Sequence, residues 1–407
     1  MHVFEMELKR DRDGRIVEKT ETVAGTPATW EYIYDGGGRL TEAHLDGRLI
    51  CQCHYDREGR RSRDYFPATV GPHYRDYRYT LDNRLLRAGN NTYTHDDNGF
   101  RSIWAKGATY LLYEYAPDYR LLRMEIEDQN RVYTFDHDEN GQRIAKYCNG
   151  QLVEAYHWLD FVRLGGFHDG QHAFEFAYRN DERIPFAMRR DDGTVFGLFS
   201  DQVGSLRVVV DSNDNMIKEI VYNPFGGIIE DTNPDFRIPI GFAGGLHDRD
   251  LGFVRFGWRD YDANTGRWTA PDPIGDKGGD PDWYGYCLDD PVNMSDATGL
   301  NPLLAWSQYI PAVNSIGKQI AKDVMTGEPG YSDIPNLIWD GAKAYGEYVK
   351  NNAEKMRKDN RQYYDELYGR NNKHNGDQST PNPPTTSRDE ANLPVKDYKT
   401  IETLRGR

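Results

Sequence analysis

The chain has 407 residues and a net charge of −15, which excludes nucleic-acid binding through a general basic surface. It is polar, 38% hydrophobic and 28% charged with a mean hydropathy of −0.82, yet it holds 28 Tyr, 16 Phe and 8 Trp. So many aromatics exclude disorder along most of the length, and with 40 Gly they point to an all-β body of short strands and tight turns.

The charge is uneven. Residues 1 to 300 carry 35 Lys and Arg against 51 Asp and Glu, whereas residues 301 to 407 carry 15 against 14. Body and tail therefore differ in kind. The opening, MHVFEMELKRDRDGRIVEKT, has no apolar run of the sort that marks a signal peptide, and no stretch reads as a membrane span. Cys51, Cys53, Cys148 and Cys287 lack zinc-ligand spacing and are read as incidental thiols, the first two on one face of a strand.

From the start of the chain one unit recurs: an aromatic-alternating stretch, Asp, two or three residues, Gly, then a basic or polar residue. It appears as DRDGRI at Asp11, YIYDGGGRL at Tyr32, CHYDREGRR at Cys53, YTHDDNGFR at Tyr93 and FDHDENGQRI at Phe135. Degenerate copies begin at Tyr79 and Tyr113, so the unit is about 21 residues long. Tyr32 and Tyr34 alternate with Glu31 and Ile33 as on a two-faced strand, Asp35 opens a turn, Gly38 takes positive φ, and Arg39 and Leu40 begin the return. One hairpin alone is marginal in water, so neighbours are expected to pair edge to edge in a long ribbon. These turns lack the dense oxygen ladder of calcium loops, and no metal or other cofactor is expected.

Less regular strands are expected from about Trp158 to Asp262. LRVVVDSNDNMIKEIVY reads as a hairpin turning at Ser212 to Asn215, NPFGG at Asn223 as a turn, and Asp248 to Gly252 and Asp262 to Gly266 as two more. After Leu300 the apolar spacing becomes helical, with Ile334, Leu337, Ile338, Ala342, Tyr345 and Val349 on one face, and residues 371–390 read as a flexible linker.

The repeated YD...GR units, followed by DQVGSLRVVVDSNDNMIKEIVYNPFG, RDYDANTGRWTAPDPIG and YGYCLDDPVNMSDATGL, resemble the Rhs/YD-repeat proteins over about residues 1 to 300. The resemblance implies a mainly β fold: a YD-repeat β-hairpin ribbon forming a partial spiral shell (1–160), an Rhs repeat-associated core (161–300), and a small α-helical variable tail (301–407). It implies a polymorphic toxin shell that encloses or presents its tail and releases it by self-cleavage with two aspartates. By position these are Asp272 in PDPIG and Asp296 in SDATGL, with Arg267 as the basic residue upstream and the cut between Leu300 and Asn301. The family's proline after the second aspartate is replaced by Ala297, and Asp280, Asp282, Asp289 and Asp290 are rival carboxylates. The partners implied are the chain's own tail, a cognate immunity protein and a secretion machinery. The location implied is the bacterial cytoplasm before export, then the outside or the cell surface.

Two carboxylates held together share a proton, so one can activate water while the other protonates a carbonyl. Pro271 and Pro273 would hold Asp272 rigid, and Gly299 would let the cleaved strand approach closely. Arg267 would orient a carboxylate or serve as a surface ion-pair partner. In the tail His374 is the single histidine, cysteines are absent, and Asp365 and Glu366 read as solvated, so no catalytic motif is visible there. The competing readings are a non-catalytic surface-binding module for glycan or protein, and a truncated orphan core.

Overall fold

The computed structural model describes residues 3–179 and 182–300. The helical reading of the tail, the linker at 371–390 and Asn301 lie outside the described residues. Within them, twenty-two strands from Phe4–Arg10 to Ile228–Asp231 pair antiparallel, each with the next along the chain. The result is one long meander, open because its first and last strands are not paired with each other. The turns expected at Ser212–Asn215, Asp248–Gly252 and Asp262–Gly266 each join two paired strands.

The repeat owes its shape to one set of bonds. Asp35 Oδ1 accepts the N–H of Gly37 at 2.9 Å and of Arg39 at 3.0 Å, while Arg39 Nε donates to Asp35 Oδ2 at 2.8 Å. Gly38 donates to the Asp35 carbonyl at a φ of +88°, a conformation open to glycine. Asp11 with Arg15 and Asp56 with Arg60 repeat the pattern. The carboxylate oxygens are thus spent on backbone N–H groups and an arginine.

Successive units lock onto one another. Tyr34, Tyr55 and Tyr79 donate their hydroxyls to the carbonyls of Ile16, Leu40 and Arg61, each at 2.7 Å. The guanidiniums of Arg15, Arg39 and Arg60 lie over those same three rings at 5.4, 4.5 and 5.3 Å. Each arginine, fixed by its own aspartate, is the seat for the tyrosine of the next unit. Further along, Arg163 repeats this under Tyr178, and Asn223 replaces aspartate in the NPFG turn, accepting from Phe225 and Gly227.

After Asp231 the chain folds into a second, four-stranded sheet: Leu246–Asp248, Phe253–Phe256, Arg259–Asp262 and Arg267–Trp268. This small sheet is buried against the ribbon. Leu251 and Phe253 join a cluster with ribbon residues such as Tyr93, Tyr113 and Phe135, while Val254, Phe256 and Trp268 join another with Phe176 and Val209. Charge accompanies the apolar contact. Arg101 meets Asp262 at 2.7 Å, Arg143 meets Asp248 at 3.1 Å, and Lys146 meets Asp248 and Asp250 at 2.6 Å each. Cys51 and Cys53 are free, buried and on one face of the strand Arg48–Tyr55, in a cluster with Ile16 and Trp30.

Arg101 and Asp262 are both almost wholly buried, so Asp262→Asn leaves a buried guanidinium without its counter-charge. A loss of about 3–5 kcal/mol of stability is expected from urea unfolding. Thr94→Ala, on an exposed Thr94–Ser102 pair, should change stability by less than about 0.5 kcal/mol.

Candidate active site

The strand Arg259–Asp262 sends alternate side chains to opposite faces. Asp260 and Asp262 face the ribbon, where Asp260 accepts from Tyr115 at 3.2 Å and Asp262 from Arg101. Arg259 faces the other way, and around its guanidinium the segments after the sheet converge. Its Nη2 lies 2.9 Å from Asp272 Oδ2 and 3.5 Å from Asp296 Oδ2. Its Nη1 donates to the Trp283 carbonyl at 3.0 Å, and its Nε donates to the carbonyl of Gly299. The planar group rests 4.2 Å above the Trp268 ring.

The two aspartates therefore meet through one nitrogen. Their Oδ2 atoms are separated by no more than the sum of those two distances. Asp272 is held from its other side by the N–H of Ile274, which donates to Oδ1 at 2.9 Å. Burial pushes its carboxyl above the ordinary range, against the pull of Arg259. Asp296 is 1% exposed, and its Oδ1 accepts the N–H of Gly299 at 2.9 Å, the N–H of Leu300 at 3.1 Å and the Thr298 hydroxyl at 3.2 Å. Its Oδ2 is buried and receives no hydrogen bond from the described residues, and the Arg259 guanidinium lies 3.5 Å from it.

The end of the described chain is pressed onto the hairpin that carries Arg259. Trp258 N donates to the Thr298 carbonyl at 2.9 Å. A Cβ on Gly299, whose φ is +69°, would lie 2.5 Å from the Phe256 carbonyl, so only glycine fits this approach.

The structure brings Asp272, Asp296 and Leu300 to one place, and it puts Arg267 in another. Arg267 makes a two-pronged bond to Asp282 at 2.6 and 2.9 Å, donates to the Asn83 carbonyl and sits 4.8 Å from the Tyr79 ring. There it adds a second guanidinium to a tyrosine already seated on the repeat arginine Arg60. The basic residue at the aspartates is Arg259, which the sequence pattern does not single out. Its signal is the alternation in RDYD, which sets the arginine opposite the two acids that bind the ribbon. The stretch WYGY is a turn segment: Tyr284 O accepts from Trp268 N, and Trp283 Nε1 donates to Asp276.

The rival carboxylates have other engagements. Asp282 holds Arg267, Asp289 holds Arg61 at 3.0 Å, and Asp290 accepts from the Asn293 amide. Asp280 accepts from the Asp282 N–H, and its carboxyl is pushed up to about 7 by burial and by the charges of Asp282 and Asp289.

The model of the Teneurin YD-shell family matches residues 1–281. The chain belongs to that family. Teneurin-3 of Danio rerio is 29% identical over 273 residues, covering 65% of this chain and 10% of that protein. Teneurin-m of Drosophila melanogaster is 28% identical over 162 residues, covering 34% of this chain and 6% of the other. This YD-shell chain thus spans about a tenth of the length of the curated relatives first matched. Among solved structures, the crystal structure of TcdB2-TccC3-Cdc42 is similar in fold, with a TM-score of 0.51 and 17% identity, covering 74% of this chain and 17% of that one. The resemblance to Rhs/YD-repeat proteins and the mainly β shell fold stand on these matches. The family match stops short of Asp296.

The raised carboxyl of Asp280 has a consequence for pH. The folded chain keeps a proton that the unfolded chain releases near pH 4, so this group's contribution to stability falls as pH rises from about 4 to about 7. Asp280→Asn should remove that component, leaving the variant more stable relative to wild type at pH 8 than at pH 5. Urea midpoints of both proteins at both pH values check it, and an unchanged difference contradicts it.

Proposed function

We propose that this YD-shell module encloses its own C-terminal tail and cuts the chain after Leu300 with Asp272 and Asp296. The observation that carries the reading is the Arg259 guanidinium, which touches both aspartates and the Gly299 carbonyl, one residue before the bond in question.

Each residue has its own share of the work. Asp272, favoured in its protonated form by burial, gives its proton to the oxygen of the Leu300 carbonyl. Asp296 Oδ2, which has no hydrogen-bond donor among the described residues, takes a proton from the water that attacks the carbonyl carbon. The tetrahedral intermediate collapses and returns a proton to Asp272. The bond to the Asn301 nitrogen breaks, and that nitrogen leaves with the proton held by Asp296. Arg259 fixes both carboxylates and the Gly299 carbonyl in one frame, so the geometry is set before the reaction begins. Peptide released beyond the cut is expected to stay with the shell, since its sequence holds apolar residues, Leu303, Leu304 and Trp306 among them, that gain from burial. An immunity protein and an export route belong to this same reading, since a shell that frees its cargo needs both protection and delivery.

Denaturing mass spectrometry of freshly purified protein tests the proposal. Wild type should give fragments of residues 1–300 and 301–407, while Asp272→Asn and Asp296→Asn should remain full length. Arg259→Lys, which keeps charge but loses the fork, should slow the cut by about tenfold or more. Ala297→Pro should speed it. A wild-type chain that stays full length at both mildly acidic and neutral pH supports the second reading, a shell cap without peptidase activity. The three bonds that already fill Asp296 Oδ1 favour that alternative.

A further inference from the structure

The segment Asp290–Asn293 sits between the two ends of the ribbon and binds both. From the first end, Ile16 N donates to Asn293 Oδ1 at 2.8 Å, and Asn293 Nδ2 lies 3.1 Å from the Tyr34 hydroxyl. From the far end, Gln202 Nε2 donates to the Val292 carbonyl at 3.1 Å. Val292 itself is buried with Ile16, Trp30 and Leu40. The same two ends are also joined directly, by Arg207 to Glu21 at 2.9 Å and Lys19 to Asp201 at 3.9 Å.

On its C-terminal side this segment leads straight to the second aspartate. Asn293 also donates to both oxygens of Asp290, at 2.9 and 3.1 Å, and three residues later Asp296 meets Arg259. On its N-terminal side lies a strained run. Cys287, Leu288 and Asp289 hold φ of +53°, +54° and +59°, a left-handed turn without a glycine. Such residues each cost about 1–2 kcal/mol, so the turn persists only while something outside it holds it. The holders are ribbon residues: Arg61 on Asp289, and Ile16 and Tyr34 on Asn293.

We propose that Asn293 is a positioning residue that lets Asp296 reach Arg259 only after the two ends of the ribbon have met, so that closure of the shell end licenses the cut. The proposal rests on the self-cleavage reading and adds its control. Ile16 and Asn293 are 277 residues apart in sequence, so their bond forms late, once the intervening ribbon has coiled. Before that the left-handed turn relaxes and Asp296 is withdrawn from Arg259. A nascent chain is thereby protected from cutting itself before there is a shell to retain the tail.

Hydrogen exchange separates this coupling from the chemistry. In an uncut Asp272→Asn background, the peptide covering residues 296–300 reports the Gly299 and Leu300 amides that donate to Asp296. Asn293→Ala should speed exchange of that peptide at least tenfold while leaving the strand Phe253–Phe256 unchanged. Tyr34→Phe, which deletes one hydroxyl, should shift it the same way by a smaller factor. With both aspartates present, Asn293→Ala should slow the cut at least tenfold. Unchanged exchange at 296–300 in Asn293→Ala overturns the proposal. If that variant exchanges faster everywhere, the milder Tyr34→Phe decides, with a local rise supporting the coupling and none refuting it. If wild type is never cut, the self-cleavage reading falls, and the exchange measurement alone settles whether Asn293 couples ribbon to aspartate.

Discussion

Arg61, Arg101, Arg143 and Lys146 project from the ribbon into the interior, each at 2% exposure or less, and a carboxylate from beyond Asp231 meets every one of them. Leaving such a cation buried and unpaired costs several kcal/mol. The ribbon cannot pack on an apolar filler, and Asp248, Asp262 and Asp289 cannot be buried against a wholly apolar ribbon. The two parts are therefore complete only together. The acidic surplus of residues 1 to 300 has part of its cause here, because the filling must bring negative charge to the ribbon's positive inner face.

One short strand carries this constraint to the candidate site. In Arg259–Asp262 the acids at 260 and 262 dock on the ribbon while Arg259 turns to the opposite face and gathers Asp272, Asp296 and Gly299. Because adjacent residues of a strand cannot rotate independently, the docking of Asp262 on Arg101 fixes where Arg259 points. Two further ties act on the converging segments: Arg101 N donates to Thr269 O at 2.8 Å, and the Tyr284 hydroxyl donates to Gly99 O at 2.8 Å. Asp272 is thus referenced to the middle of the ribbon and Asp296, through Asn293, to its beginning.

Local chemistry is legible in the sequence, and long-range partnership is not. The turn at Asp35, Gly38 and Arg39 can be read because aspartate, positive φ and return strand fall within five residues. The seating of Tyr55 on Arg39 cannot, since it joins neighbouring units and needs the register of the sheet. Asp272 and Asp296 stand out through family resemblance and flanking prolines, whereas nearness to PDPIG in the chain favours Arg267 over Arg259. Both arginines are buried in the small sheet. The pairing that tells them apart, Asp282 for one and the two aspartates for the other, depends on the turn through WYGY, whose path only the fold gives. Among the four rival acids, only the fold distinguishes Asp289, bound to Arg61 from 228 residues away, from a free carboxylate.

On the self-cleavage proposal, this ribbon and its acidic filling build a hydrolytic aspartate pair at the end of the core. Folding the full chain in water enriched in oxygen-18, at mildly acidic pH, puts that proposal to the test. Hydrolysis by an activated water predicts a fragment of residues 1–300 whose new Leu300 carboxylate carries one heavy oxygen, about 2 Da above the same fragment made in ordinary water. An unlabelled fragment, or no fragment at all, contradicts the claim.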